Sequence, residues 1–160
     1  MYRDFALRSW PLRAAGCVLL AVLAGCAGAP VAPATSAAMA AGAARIWFYR
    51  DYEPSVSLNI ANVGLNGVTA ASVDAFGSAL YRDVPPGRYH VTVESFGTDV
   101  NQAKDVDLMP GQEAFVKVLA AGGWESDGER NSFKRDTFYV SLVPPQVARA
   151  ELATHPLSGG

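Results

Sequence analysis

The chain has 160 residues, with 13 basic and 15 acidic side chains, a formal net charge of −2 and only two cysteines. That length suits one domain with its own core. The slightly acidic balance argues against a nucleic-acid binder, which needs a basic surface.

The chain opens with Arg3, Arg8 and Arg13 against a single Asp4, followed by an apolar run from Ala14 to Leu23. A membrane-spanning helix needs about twenty apolar residues, and this run has about half that. It reads as the charged and apolar regions of a secretory signal. The run ends on Leu23-Ala24-Gly25-Cys26. That tetrapeptide resembles the lipobox of bacterial lipoproteins. The resemblance implies a diacylglyceryl thioether on Cys26, cleavage before it and acylation of the new amino group, with residues 1–25 as the signal peptide. Cysteine supplies the soft sulfur nucleophile that the first step needs, and Cys17 is discarded with the signal.

Each buried methylene contributes about 0.8 kcal/mol, so two or three acyl chains on Cys26 hold the membrane firmly where one does not. Ala27, rather than aspartate, follows the cysteine. By analogy with lipoprotein sorting this points to the outer membrane, with the domain expected to face the periplasm. Removing residues 1–25 takes away three arginines and one aspartate and leaves ten basic and fourteen acidic residues, a net charge of −4. No disulfide is then available inside the mature chain.

Residues 26–43 form the lipidated N-terminus and a spacer, AGAPVAPATSAAMAAGA after the cysteine. Pro30 and Pro33 discourage helix, and the segment is uncharged. A flexible tether of up to roughly 50 Å is expected.

From residue 44 the apolar period becomes two. RIWFYR (45–50) is aromatic on both faces. SVSLNIAN (55–62) alternates, with Val56, Leu58 and Ile60 assigned to a core face. Asn66-Gly67 marks a hairpin. SALYRDV (78–84), RYHVTVE (88–94), KDVDL (104–108), EAFVKVLA (113–120) and TFYVSLV (137–143) complete the predicted strands, with proline–glycine turns at 85–87 and 110–111. The fold class is all-β, an antiparallel sandwich of about seven to eight strands over residues 44–145. The tail, 146–160, is expected to carry a short helix after Pro144-Pro145 and to fray at PLSGG.

DVPPGRYHVTV (83–93) and DLMPGQEAFVKV (107–118) are similar to the proline–glycine hairpins of PEGA-type and carboxypeptidase-regulatory-like β-sandwiches. The order of lipobox, spacer, ARIWFYR strand, NG turn and PGRYHVTV strand resembles an uncharacterised family of bacterial lipoproteins carrying a domain of unknown function. The resemblance covers about residues 44–143 and implies a transthyretin-like or immunoglobulin-like topology. It brings no enzymatic residues.

Reaction chemistry is sparse. His90 and His155 have no partner at metal-ligand spacing. No serine sits in a nucleophile elbow, and the glycines at 122–123 lack the lysine of a phosphate loop. Catalytic residues, metal ligands and cofactors are therefore expected to be none. His90 with Asp105 or Asp107 is the one acid–base combination worth testing. Asp105 and Asp107 share a strand face, but calcium wants six or more oxygens. The loop 121–135 is long for a hairpin and mixes both charge signs with aromatics. Trp124, Glu125, Asp127 and Phe133 are its candidate partner-binding residues.

The expected function is a lipid-anchored, non-catalytic binding or structural module of the cell envelope. Its partners would be the membrane, through the chains on Cys26, and an envelope protein or glycan. A narrower version places it in a secretion apparatus. The alternatives are an envelope hydrolase or metal-dependent enzyme, and a small-ligand carrier with Trp47, Tyr49 and Tyr52 lining a pocket.

Overall fold

The structure, a computed structural model, describes residues 36–126 and 132–158, apart from the side chains of 123–126 and 132–135. These residues all belong to one compact unit, which ends at Gly160. Cys26 and the lipobox lie outside the described residues.

Eight strands are described: β1 (Ala44–Arg50), β2 (Ala61–Leu65), β3 (Val68–Val73), β4 (Ala79–Val84), β5 (Gly87–Val93), β6 (Ala103–Leu108), β7 (Glu113–Ser126) and β8 (Ser132–Leu142), followed by the helix α1 (Pro145–Leu152). They form two four-stranded sheets, β4-β1-β7-β8 and β3-β2-β5-β6. An immunoglobulin fold would put the first, second, fifth and fourth strands in one sheet. Here β2 and β5 are in the sheet opposite β1 and β4, so the order is not the immunoglobulin one. The sandwich is antiparallel except for one pair. β1 and β7 pair in parallel, Arg45 beside Glu113 and Arg50 beside Val118.

Ile46 and Phe48 of β1 point between the sheets, where they meet Val63, Val73, Val91, Val116, Val118 and Val140 in the main core. Trp47 and Tyr49 point the other way. They form a second cluster with Phe115 and Ala148, flanked by Tyr81, Leu152 and Leu157. A central strand covered on both faces reads as a continuous apolar run, which explains an aromatic strand with no polar side.

The cover over Trp47 and Tyr49 is the C-terminal tail. An eight-residue helix is marginal alone in water; α1 is held by Ala148 and Leu152 against the sheet. The expected fraying of PLSGG is corrected as far as residue 158. The Ala79 N–H donates to the Pro156 carbonyl at 3.1 Å and the Ser158 N–H to the Ala79 carbonyl at 2.7 Å. This short pairing also covers part of the β4 edge, a place where unpaired backbone invites aggregation. Part of the tether is likewise docked. The Ala37 N–H donates to the Tyr81 hydroxyl at 3.2 Å, and its carbonyl accepts from Arg45 Nη1 at 2.8 Å.

The hairpin at Asn66-Gly67 joins β2 to β3, with both residues at positive φ, 51° and 82°. A two-residue turn of that conformation matches the twist of its strands.

The alternation at 55–62 does not make the predicted strand. Residues 55–60 are turn and loop, and β2 starts at Ala61. Its inward face is Ala61 and Val63, one residue out of phase with Val56, Leu58 and Ile60. A shift of one residue exchanges the faces of a strand, and Leu58 and Ile60 are exposed at 66% and 60%. The loop predicted at 121–135 is also mostly strand. β7 and β8 remain paired through Gly123–Arg135, Trp124–Lys134 and Ser126–Ser132. β1 stops pairing with β7 at Val118, so the outer part of this hairpin continues beyond the β1–β7 pairing.

Candidate functional site

Strand directions gather four connections at one end of the sandwich: 51–60, 74–78, 94–102 and the β7–β8 hairpin. The first three hold six large exposed apolar side chains: Tyr52, Leu58, Ile60, Phe76, Phe96 and Val100. Tyr52 and Phe76 are joined by a backbone bridge, and their rings stand 6.3 Å apart. Single exposed apolar residues are ordinary on any surface, but a cluster of them marks an interaction site.

What holds Leu58 and Ile60 outward lies beneath them. Ser57 is fully buried, and its hydroxyl donates to Asp136 Oδ2 on β8 in a short hydrogen bond. Asn59 Nδ2 donates to the same oxygen at 2.8 Å, and the Asn59 N–H donates to Ser57 Oγ at 3.1 Å. Arg50, also fully buried, donates to the carbonyls of Asn59 at 2.9 Å and Ser57 at 3.0 Å. Its guanidinium lies 5.3 Å from the Phe138 ring centroid. Burial pushes the Arg50 pKa down, while Glu53 and Asp136 oppose that push. Burying charge is costly unless it is paired and hydrogen-bonded. Here a network that turns Ser57 and Asn59 inward offsets part of that cost, while Arg50 Nε and Asp136 Oδ1 stay buried without a hydrogen bond. The neighbouring Leu58 and Ile60 then face solvent.

The other loops are fastened to β8 as well. The Phe138 N–H donates to Ser95 Oγ at 2.8 Å, the Val140 N–H to the Asn101 carbonyl at 2.9 Å, and the Tyr139 hydroxyl to Asp99 at 2.8 Å. The loop end is thus a built surface rather than a set of loose connections.

Three of the predicted partner-binding residues, Trp124, Glu125 and Phe133, fall at this same end. Trp124 and Glu125 are in β7 and Phe133 is in β8, so the sequence assignment of these three to a loop is corrected. Their side chains, and all of Asp127, lie outside the described residues. Tyr52 is assigned in the sequence to a ligand pocket rather than to this surface, and Leu58, Ile60 and Phe76 carry no site assignment there. The alternation of SVSLNI hid two of them, because period two alone does not say which face is the core.

His90 and Asp105 do meet. They are opposite residues on β5 and β6, with Nδ1 and Oδ1 2.7 Å apart. Arg88 also donates to Asp105 at 3.1 Å. Both contacts hold the Asp105 carboxyl below the usual carboxylate range, the hydrogen bond to His90 most. The pair is exposed on a flat strand face. Asp107 is opposite Arg88 rather than beside His90. Among the described residues, no group of three or more His, Cys, Asp or Glu is placed to hold a metal ion.

Trp47, Tyr49 and Tyr52 do not share a pocket. Trp47 and Tyr49 are buried under the tail, whereas Tyr52 is 70% exposed at the loop end. Trp47 borders a cleft of about 280 Å³ with Phe115, Arg149, Leu152 and Leu157. Its indole N–H donates to Glu113 at 3.0 Å, and Arg149 Nη2 donates to the other Glu113 oxygen at 2.7 Å. Burial raises the Glu113 pKa, but these two contacts outweigh it and the net shift is downward.

Further along the same face, the Tyr49 hydroxyl donates to Glu151 at 2.7 Å, and Lys117 Nζ bridges Glu151 at 3.0 Å and Asp51 at 2.7 Å. Burial and Glu151 push the Tyr49 phenol up, and the same hydrogen bond lowers Glu151. The side chain of His155, a tail residue, is 8% exposed. Its Nδ1 is 2.8 Å from the Glu151 carbonyl, and its ring meets Tyr49 edge-on. These contacts clamp α1 to the sheet.

The described residues therefore define a β-sandwich with an apolar loop end stiffened by a buried polar network. No family model, curated protein or solved structure matches the chain. Among the described residues, no helix is long and apolar enough to cross a membrane.

Proposed function

We propose that this protein is a lipid-anchored, non-catalytic binding module of the bacterial cell envelope, tethered through Cys26 and engaging an envelope protein with its loop end. The observation that carries the binding part is the inverted stretch 57–60. Ser57 and Asn59 are committed to Asp136 while Leu58 and Ile60 face water. A fold that keeps apolar side chains out at the expense of buried polar contacts departs from the ordinary pattern where such departures serve function. Aliphatic side chains such as Leu58, Ile60 and Val100 offer a glycan no hydroxyl partner, which favours protein over glycan. The anchor rests on the lipobox resemblance, and the outer-membrane, periplasm-facing address rests on Ala27. The PEGA-like lipoprotein family remains its proposed relative.

Two measurements test this. Mass spectrometry of the native protein is expected to show an acylated N-terminus at Cys26, and Cys26→Ala is expected to move it to the aqueous phase of a detergent partition. Chemical cross-linking in cells is expected to give a discrete adduct that the double variant Leu58→Ser/Ile60→Ser loses. An unmodified Met1 terminus overturns the anchor, and an undiminished adduct overturns the loop end as the binding site.

A further inference from the structure

The charge of the loop end specifies what it binds. The three described connections 51–60, 74–78 and 94–102 contain Asp51, Glu53, Asp74, Glu94 and Asp99, and no lysine, arginine or histidine. The fourth, the β7–β8 hairpin, carries both signs in its sequence, Glu125, Asp127 and Glu129 against Arg130, Lys134 and Arg135, so the four together keep an acidic excess. The same segments contribute the six exposed apolar side chains. Asp51 is paired with Lys117, and Glu53 Oε2 lies 3.9 Å from Arg50 Nε. Among the described residues, the hydrogen bonds that the other three accept come from neutral groups: Asp74 from the Phe76 N–H, Glu94 from Asn62, and Asp99 from Tyr139 and its neighbour's N–H. An apolar centre with an acidic border is the pattern of an interface whose partner reverses the sign.

From this, and resting on the proposed binding role, we infer that the partner is a protein surface with an apolar centre bordered by lysine and arginine. Other occupants fit less well. Anionic lipid headgroups would be repelled by the acidic excess that remains after Asp51 and Glu53 are paired. A second copy meeting the same end would oppose like charges across a two-fold contact. Opposite-sign borders set orientation and association rate, while the apolar centre supplies most of the affinity.

The test uses the full chain in its host cell. A photo-cross-linking amino acid replaces Leu58 in one variant and Val100 in another, with Asp107, at the opposite end, as the control position. Cross-linked peptides are identified by mass spectrometry. The expected result is a protein adduct whose peptide is apolar and net basic around the cross-link. In the Leu58 variant, adding Asp74→Asn, Glu94→Gln and Asp99→Asn, which keep an acceptor oxygen, should lower the yield roughly tenfold, from modest contributions by each screened charge. An adduct to a neutral or acidic peptide overturns the inference and leaves the binding role standing. Cross-links to lipid or to another copy overturn it as well. Yield no higher than at Asp107 overturns both the inference and the binding role on which it rests.

Discussion

Asp136→Ala offers the most direct test of how the loop end is built. Asp136 is 7% exposed, and one of its oxygens accepts from both Ser57 and Asn59. Hydrogen bonds to a charged group are worth roughly 1.5–3 kcal/mol each. Losing two, with Ser57 left buried, should cost about 3 kcal/mol. With a urea slope near 2 kcal/mol/M, the unfolding midpoint should fall by about 1.5 M, read by tryptophan fluorescence with the slope unchanged. Ser57→Ala should cost about 1–2 kcal/mol, and the double variant should cost less than the sum, because the two residues share one contact. Leu58→Ser should change stability by no more than about 0.5 kcal/mol, as an exposed substitution does. If Leu58→Ser instead lowers the midpoint as far as Asp136→Ala does, Leu58 packs in the core and the inverted loop is wrong. A shift below about 0.5 M for Asp136→Ala would show that the network does not hold the loop.

Other parts of the fold make independent predictions. Glu113 and Glu151 sit below the ordinary glutamate value of 4.5, so the unfolded chain binds more protons than the folded one in mild acid. Their stabilisation should be complete above that value and vanish as pH falls through the folded-state values; thermal melts across acidic pH, compared with Glu113→Gln, check this. Ala148→Asp places an unpaired charge in a fully buried position and should cost roughly 3 kcal/mol or more, with loss of the near-ultraviolet signal of Trp47 and Tyr49. Gly67→Ala, at φ 82°, should cost about 1 kcal/mol by urea titration. His90→Ala removes an exposed contact and should change stability by less than about 0.5 kcal/mol, with no change in any ester or peptide turnover of the purified protein.

The strands that the sequence revealed best were those whose polarity and position agreed. Tyr89, Val91 and Val93 alternate with polar neighbours, and the two valines are indeed buried. RIWFYR was legible as a strand, but its two apolar faces said only that something must cover Trp47 and Tyr49. The cover is the tail, one hundred residues away along the chain, and no local pattern links the two. The parallel partnership of β1 and β7 was hidden for the same reason. At 55–62 local and tertiary preferences conflict: Leu58 and Ile60 look like core, but Arg50 and Asp136 draw Ser57 and Asn59 inward. That conflict arises where the candidate site lies. In β7 and β8 the glycines at 122–123 read as a loop, while cross-strand pairing carries the ribbon through them.

Because β1 lies between β4 and β7 and beneath the tail, the first strand made is among the last to be enclosed. As the chain emerges from its N-terminus, Ile46, Trp47, Phe48 and Tyr49 wait for Ala79–Val84 on one side and Glu113–Val118 on the other. Their outer cover arrives only with Ala148, Leu152 and Leu157. Long-range pairing of this kind slows folding and leaves sticky segments open in the meantime. The nascent chain therefore leaves β1 uncovered until Ala148, Leu152 and Leu157 have been made, and removing these residues should harm yield in the cell before it harms any binding surface.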